Sequence, residues 1–512
     1  LRPTKELNNS IQSPATAELA ADVSASANHT DLSKQAGLMV VSRGLTLAIQ
    51  MGSIMILTRV LAKETFGWLS FLLLGYSTVS TLAQLGLPES IFYFFERVQP
   101  AARKSLALLT ARSLLLTSIG ASVILLAMNF LAPLWGYEVN GLFFPLILLA
   151  FLELPTLPLP NILIAIQRAK SAAWINILFG MAQFAAVVLP AIFKQPLAVI
   201  IFCLVGYGVV RFVISAILFF RFFPEPLARL PHGLLKEQFW YSVPLGFSQI
   251  LWGMNRQIDK YVVAAFLPVT IYSEYVVGSW EIPLLPAIAY TVASVMMPQM
   301  VGFYLKGQKS ELLRLWNKSI EKVSIIVLPL VVLFLVAAEE FIAVFFTENY
   351  LAAALPFRIY TLIILHRVAA YSSMLKALGD TKVISYSAIY LLVINLVLSI
   401  PLVIVLGMAG PPLAALLANM YTWWYVLAKI KACLGVTIKD VFPFRFYGKV
   451  LAIVVLAGLP VLLLRNLLDL PNHLMLILMI VAYLLGYAVL ASLFRVVKRE
   501  DWRYLAQALK WK

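Results

Sequence analysis

The sequence predicts an all-α, polytopic membrane protein with about fourteen transmembrane helices. Composition, the recurrence of long apolar stretches and the placement of basic residues each point there. Of 512 residues, 62% are hydrophobic and 12% are charged, against about 25% charged in an ordinary soluble protein. So few polar groups cannot cover the surface of the three or four soluble domains that this length would otherwise suggest. Apolar stretches of about 20 residues recur along the chain, each long enough to cross about 30 Å of hydrocarbon as a helix. A membrane β-barrel would instead show alternating segments of about ten residues.

Taken in order, residues 1–35 are polar, rich in small residues and without helical periodicity. They are expected to form a disordered cytoplasmic tail. With no basic region leading into an apolar core, they do not read as a cleavable signal peptide. Fourteen apolar segments follow, near 37–61, 67–88, 106–133, 142–166, 172–193, 197–220, 240–266, 270–302, 319–346, 353–375, 384–407, 411–430, 449–465 and 473–495. The eighth holds Pro283 and Pro286, which predict a kink. The basic tail 496–512 closes the chain.

The basic residues test this layout independently, because cytoplasmic loops hold the excess of Lys and Arg. The tail before the first segment, and the loops around Arg97–Lys104, Arg168–Lys170, Arg221–Lys236, Lys306–Lys322, Lys376–Lys382 and Lys429–Lys449, fall on one side together with the C-terminal tail. The other side has only Arg59, Lys63, Lys194 and Arg465. Both termini are therefore expected in the cytoplasm, at the inner face of the plasma membrane. The net charge of +16 follows from this bias and calls for no nucleic-acid partner. The basic C-terminal tail also suits anionic membrane lipid, at about 1 kcal/mol per basic residue.

Several chemistries are excluded or left without support. The loops on the side away from the basic residues, such as "WGYEVNG" and "FKQP", are too short for a catalytic domain, so no catalytic residues are assigned. Four scattered histidines offer no metal-ligand spacing, and no metal or cofactor is expected. The two cysteines, Cys203 and Cys433, sit in separate apolar stretches and read as packed thiols. No G-x-x-x-x-G-K-[ST] loop is present. Energy must then come from an H+ or Na+ gradient, the substrate's own gradient, or a partner.

An ionisable residue at bilayer depth costs at least about 2.5–3.5 kcal/mol, so each needs a partner or a purpose. Gln249, Trp252, Arg256, Asp259 and Lys260 recur at helical spacing and are expected to share one face, with Arg256 and Asp259 able to pair at i,i+3. The alternatives are mutual neutralisation or a cationic, ion-coupling surface. Glu274 and Glu281 lie seven apart on the eighth segment; Glu274, near its outer end, reads as a solvated carboxylate or an ion-coupling group. Arg43 is expected to snorkel. Snorkelling alone could also satisfy Arg112 and Arg211; the alternative is a shared cavity, where two arginines on separate helices would suit a pyrophosphate. Arg358 and Arg367 fall on opposite faces of the tenth segment, and His366 reads as a core residue. Glu153 is the sole acid of the fourth segment, followed by Pro155, Pro158 and Pro160. Three missing backbone donors predict a break and a candidate hinge. The interior bases outnumber the acids Glu153, Asp259, Glu274 and Glu281, which suits an anionic substrate.

Two stretches carry a family resemblance. They are "AGLMVVSRGLTLAIQMGSIMILTRVLAKETFGWLSFLLLGYSTVSTLAQLGLPESIFYFF" over 36–95 and "SVPLGFSQILWGMNRQIDKYVVAAFLPVTIYSEYVVGSW" over 242–280. Both resemble the opening helix pairs of the bacterial polysaccharide exporters, the lipid-linked oligosaccharide (O-antigen type) flippases of the multidrug/oligosaccharidyl-lipid/polysaccharide superfamily. The family pattern R-x-L-x-x-x-x-x-G is matched by Arg59, Leu61 and Gly67; the second stretch has Ile271 where the first has Gly67. The stretch from Ala377 to Met420 is similar to the family's eleventh and twelfth helices, with Gly407, Gly410 and Pro411-Pro412 at its turn.

The resemblance implies two six-helix halves, 36–222 and 240–432, joined by a cytoplasmic linker over 223–239 and arranged as a V around a central cavity. The family's acidic residue on the seventh helix falls on Asp259. Residues 433–495 would add two helices that offer a groove for a lipid tail. The implied substrate is an undecaprenyl-pyrophosphate-type oligosaccharide, the implied partners the assembly proteins of a surface polysaccharide such as lipopolysaccharide. Two rivals stand beside this reading: an organic-cation antiporter of the same superfamily, and a polytopic glycosyltransferase or ligase. In a chain freed of Cys203 and Cys433, cysteines at Ser310 and Glu348 should label from opposite sides of the membrane, Ser310 from the cytoplasm. Labelling of both from one side contradicts the layout.

Overall fold

The computed structural model describes residues 41–497 apart from Arg43, Asn140, Glu281 and Pro283. The N-terminal tail, the C-terminal tail beyond Val497, Arg43, Glu281 and Pro283 thus lie outside the described residues. Everything regular in the described chain is helical, with no strand among the described residues. Within hydrocarbon no water can satisfy backbone groups, so only helices or a closed barrel will serve.

The helices are α1 (Gly44–Val60), α2 (Lys63–Gln84), α3 (Leu87–Arg97), α4 (Arg103–Leu131), α5 (Phe143–Glu153), α6 (Leu159–Ala165), α7 (Ala169–Ile192) and α8 (Leu197–Phe222). Then come α9 (Leu234–Asn255), α10 (Ile258–Phe266), α11 (Val269–Gly278), α12 (Leu284–Leu305), α13 (Lys309–Val336), α14 (Ala338–Phe345), α15 (Ala354–Ile363), α16 (Tyr371–Ala377), α17 (Thr381–Leu406) and α18 (Gly410–Leu434). The chain ends in α19 (Ile438–Val441), α20 (Phe444–Leu467) and α21 (Asn472–Leu493).

Among the described residues, eleven helical stretches are long and apolar enough to span a membrane. One of these, 54 residues long, is the antiparallel pair α17 and α18. Two expected spans miss the criterion: α1 is short, and α9–α10 carries the polar residues Gln249 to Lys260. Counting the pair as two and adding these two gives the fourteen segments of the sequence.

Several segments are interrupted where the sequence suggested continuity. The seventh starts at Leu234, inside the expected linker, and breaks at Arg256–Gln257 between α9 and α10. The ninth breaks at Ala337. The tenth passes through a 3-10 turn, Ile364–Val368. In the eighth, α11 stops at Gly278 and α12 restarts at Leu284, which is the kink expected around Pro283 and Pro286. Cys203 and Cys433 are exposed instead of packed, and the Cys433 thiol lies 3.8 Å from Asp380 Oδ2.

The first six spans (44–222) and the next six (234–434) meet along α2–α3. At the end bearing Arg103, Lys104, Arg168 and Arg221, here the basic end, α3 packs on α9. There the chain turns at Leu85 and Gly86, both left-handed at φ 46° and 73°. A Cβ on Gly86 would lie 2.6 Å from the Ser242 carbonyl oxygen, and one on Gly246 would lie 2.2 Å from the Leu85 carbonyl carbon. Tyr93 stacks on Tyr241 at 4.5 Å, Arg97 pairs with Glu237, and the Gln238 amide donates to Ser90 Oγ (2.9 Å) and Thr110 Oγ1 (2.8 Å).

At the opposite end α2 packs on α11. A Cβ on Gly67 would meet the Val269 carbonyl oxygen at 2.7 Å. Lys63 Nζ lies 2.5 Å from Glu274 Oε1, and Arg59 donates to the carbonyls of Phe345 (2.7 Å) and Val344 (2.5 Å). Between the two ends, Thr78 bonds Gln257 and accepts from the Tyr261 hydroxyl at 2.8 Å.

The last two spans pack together, with α20 lying along α13. Gly458 admits Val332 and Val336, whose side chains would stand 3.3 Å from a Cβ there. Trp316 donates to the Val441 carbonyl (2.9 Å) and Tyr487 to that of Ile325 (2.8 Å).

The glycine crossings invert an ordinary helix propensity. Alanine is favoured over glycine inside a helix by about 1 kcal/mol, yet a methyl at Gly246 has no room, and overpacking costs about 1–3 kcal/mol. Gly246→Ala should lower the thermal midpoint of the purified protein. Gly206→Ala, with nothing within 4 Å of its Cβ position, should leave it unchanged or raise it. Equal responses refute the close crossing.

Candidate transport site

The proline-rich break in the fourth span builds the most polar interior feature. Pro155 has no N–H, so α5 stops at Glu153 and gives way to a 3-10 turn, Leu154–Thr156. Pro158 caps α6 and Pro160 sits in its first turn, where a missing donor costs nothing. The turn aims Glu153 and Thr156 at α8. Arg211 pairs with Glu153, donates from Nε to Thr156 Oγ1 (2.9 Å) and from Nη1 to the Tyr207 hydroxyl (3.1 Å). The Tyr76 hydroxyl of α2 donates to the second Glu153 oxygen. The guanidinium also lies 5.3 Å from the centre of the Phe179 ring. The Arg211 and Glu153 side chains are only 12% and 13% exposed. Charges so buried persist because each is matched and its hydrogen-bonding capacity used.

This polar knot forms a wall between two cavities. On one side is a cleft of about 540 Å³, lined by Ser42, Thr46 and Gln50 of the first span, by Asn176, Phe179 and Gln183 of α7, and by Tyr207 and Arg211 of α8. On the other is a groove of about 320 Å³ between α4, α5–α6 and α8, almost wholly apolar, into which Arg112 projects. The two arginines thus line different cavities, and the structure does not bring them together as a pyrophosphate pair. Pro155 and Pro158 line the groove, and Pro160 lies in α6 behind them.

The polar set on the seventh span does not share one face. The break at Arg256–Gln257 rotates the residues after it away from those before it. Trp252 and Arg256 are exposed, Gln249 and Lys260 half-buried, and Asp259 buried. Arg256 and Asp259 form no ion pair among the described residues. Asp259 accepts from the Lys260 amide at 3.0 Å and lies near the Tyr275 hydroxyl, which in turn lies 2.7 Å from that of Tyr360. Gln249, Trp252 and Arg256 keep helical spacing within and just after α9. At 100° per residue they lie beside the Gly246–Gly253 line that faces α2. Glu274 is not a solvated carboxylate; Lys63 holds it.

His366 is buried beside Trp423, a core position. Arg367 donates to Asn419 Oδ1 (3.5 Å). Arg358 lies at the end away from the basic residues, in a charge cluster that sequence reasoning missed. There Glu339 bridges Arg358 (3.1 Å) and Arg465, and the buried Glu340 pairs with Arg465 Nε (3.0 Å). The cluster ties α14 to α15 and α20. Its signal was two adjacent acids, Glu339-Glu340, inside an apolar segment.

The sequence matches the model of one protein family, described as polysaccharide biosynthesis protein, over residues 56–355. The chain belongs to that family. No curated protein sequence matches it. Among solved structures, it is similar to the lipid II flippase MurJ in an inward closed conformation: TM-score 0.64, 14% identity, covering 89% of this chain and 98% of that one. It is also similar to an inward-facing multidrug resistance MATE transporter of the MOP superfamily: TM-score 0.56, 13% identity, 78% and 99% coverage. A third likeness is to a MOP superfamily transporter from Pyrococcus furiosus: TM-score 0.51, 13% identity, 80% and 96% coverage. At these identities the likeness establishes the fold, and the fold is that of MOP superfamily transporters.

Leaving one member of the buried pair unmatched should be worse than removing both. Glu153→Leu or Arg211→Met alone should each destabilise by about 3–5 kcal/mol. The double variant should recover most of that loss in thermal unfolding. Additive losses contradict the pairing.

Proposed function

We propose that this protein moves a lipid-linked oligosaccharide, of the undecaprenyl-pyrophosphate type, across the plasma membrane for assembly of a surface polysaccharide, without itself catalysing a covalent step. The observation that carries the reading is the 540 Å³ cleft. Its walls combine neutral amides, hydroxyls and aromatic rings, with a guanidinium already matched by a carboxylate. Sugars need many neutral donors and acceptors and flat apolar faces for their rings. An organic cation would instead need an unmatched carboxylate, and Glu153 is bound to Arg211. The family description and the fold of flipping and exporting transporters agree with this reading.

In this account the spans 44–222 and 234–434 act as two units that open alternately at the basic end and the opposite end. Arg256, exposed beside the inter-unit contact, meets the pyrophosphate, with Gln249 and Trp252 of α9 near it, while Lys260 lies beyond the break. Coupling to H+ or Na+ rests on Asp259, because Glu153 and Glu274 are occupied by Arg211 and Lys63; Glu281 is the other acid of this proposal. A buried carboxylate whose surroundings differ between two states takes up an ion in one and releases it in the other, biasing the equilibrium.

Reconstituted vesicles carrying a fluorescent lipid-linked oligosaccharide decide the matter. Wild type should move label across the bilayer, Arg256→Ala should reduce the rate tenfold or more without loss of folded protein, and Arg256→Lys should restore part. Asp259→Asn should bind substrate but ignore an imposed pH or Na+ gradient. Transport of organic cations in place of the oligosaccharide would support the antiporter and refute the proposal.

A further inference from the structure

The groove on the far side of the Glu153–Arg211 wall plays no part in the proposed sugar path. It runs between α4, α5–α6 and α8 near the basic end and is lined almost entirely by apolar side chains. Two groups in it lack a hydrogen-bond or ion-pair partner among the described residues. Arg112 is exposed and has no ion-pair partner among the described residues, although it lies nine residues into α4, about 14 Å along the axis at 1.5 Å per residue. A cation at that depth requires a counter-charge or water.

The second is Ser215, 5% exposed, a lining residue of the groove whose hydroxyl is buried without a hydrogen-bond partner. Neighbouring helical hydroxyls such as Thr110 and Ser113 donate to the carbonyl four residues back (3.0 and 2.9 Å). Ser215 does not. At the mouth, Lys104 Nζ sits 5.5 Å from the centre of the Phe220 ring, and Phe220 is itself part of the lining.

We propose that this groove binds one chain of an anionic phospholipid from the leaflet at the basic end, with the lipid phosphate held by Arg112. Arginine presents a planar fork that matches phosphate oxygens, and basic sites between membrane helices hold anionic head groups. At about 30 Å³ per water-sized group, 320 Å³ holds roughly ten chain carbons. The carrier lipid of a flipped substrate is the less fitting occupant. The sugar cleft and the groove lie back to back across the wall of Glu153, Thr156 and Arg211, so one molecule cannot fill both. Because Pro155 and Pro158 form part of the lining, the bound chain also braces the broken fourth span.

Native mass spectrometry of the full chain in neutral detergent tests this with phosphatidylglycerol, phosphatidylcholine and a polyprenyl phosphate. Phosphatidylglycerol should remain bound where phosphatidylcholine does not, and should raise the thermal midpoint. Arg112→Gln should weaken it tenfold or more, Arg112→Lys should retain most binding, and Ala111→Trp should exclude the chain by filling the groove. Thermal unfolding without lipid reports whether each variant is folded; if Ala111→Trp fails to fold, Arg112→Gln decides alone. Equal binding of the two phospholipids, or phosphatidylglycerol binding unchanged in Arg112→Gln, overturns the proposal. So does a polyprenyl phosphate that displaces phosphatidylglycerol from Arg112, which would give the groove to the carrier lipid.

Discussion

Backbone-to-backbone contact along α2–α3 is the constraint on which the arrangement of spans depends. In hydrocarbon, apolar side chains give helices little reason to associate, since lipid solvates them equally well; close packing at small residues and hydrogen bonds must supply the difference. Gly67 against Val269 and the Gly86–Gly246 crossing provide the closest approaches between the first six spans and the next six. Each is reinforced by an ion pair, Lys63 with Glu274 at one end and Arg97 with Glu237 at the other. The ion pairs are partly exposed and contribute little by themselves. Their value is in register: they form only when the glycine contacts are made.

The fourth span shows how one local rule produces a site. Prolines end α5 early, and the freed turn delivers Glu153 and Thr156 to Arg211. The matched pair then does two things. It makes a charge affordable at bilayer depth, and it separates a polar cleft from an apolar groove within the same helix group. A neutralised arginine is also a poor anchor for an anion. In the proposed account, the phosphate-binding role expected of Arg211 passes to exposed cations, Arg256 for the transported lipid and Arg112 for a resident one.

Much of this was legible in the sequence because a bilayer enforces simple rules. Segment lengths, the break at Pro155 and Pro158 and the interruption near Pro283 follow from hydrocarbon thickness and backbone chemistry, and the family pattern pointed to Gly67. What escaped were partnerships. Glu153 and Arg211 are 58 residues apart and meet only because spans four and six pack together; charge balance was the available signal, each lying at depth with no local partner. Arg465 with Glu339 and Glu340 escaped because the ninth segment reads as continuous in hydropathy, which hides the break at Ala337. The helical face drawn through Gln249, Arg256 and Asp259 failed for the related reason that periodicity assumes an unbroken helix. No proline marks the turn at Arg256–Gln257, and tertiary contacts of Gln257 with Thr78 hold it.

Alternation between the two crossings is the central claim. Paired spin labels at Glu96 and Lys236 report on the basic end, and labels at Glu64 and Thr270 on the opposite end, all in reconstituted full-length protein. The account predicts that lipid-linked oligosaccharide shifts the two distance distributions in opposite directions, one lengthening as the other shortens. Single, unchanged distances at both ends during active transport would contradict it.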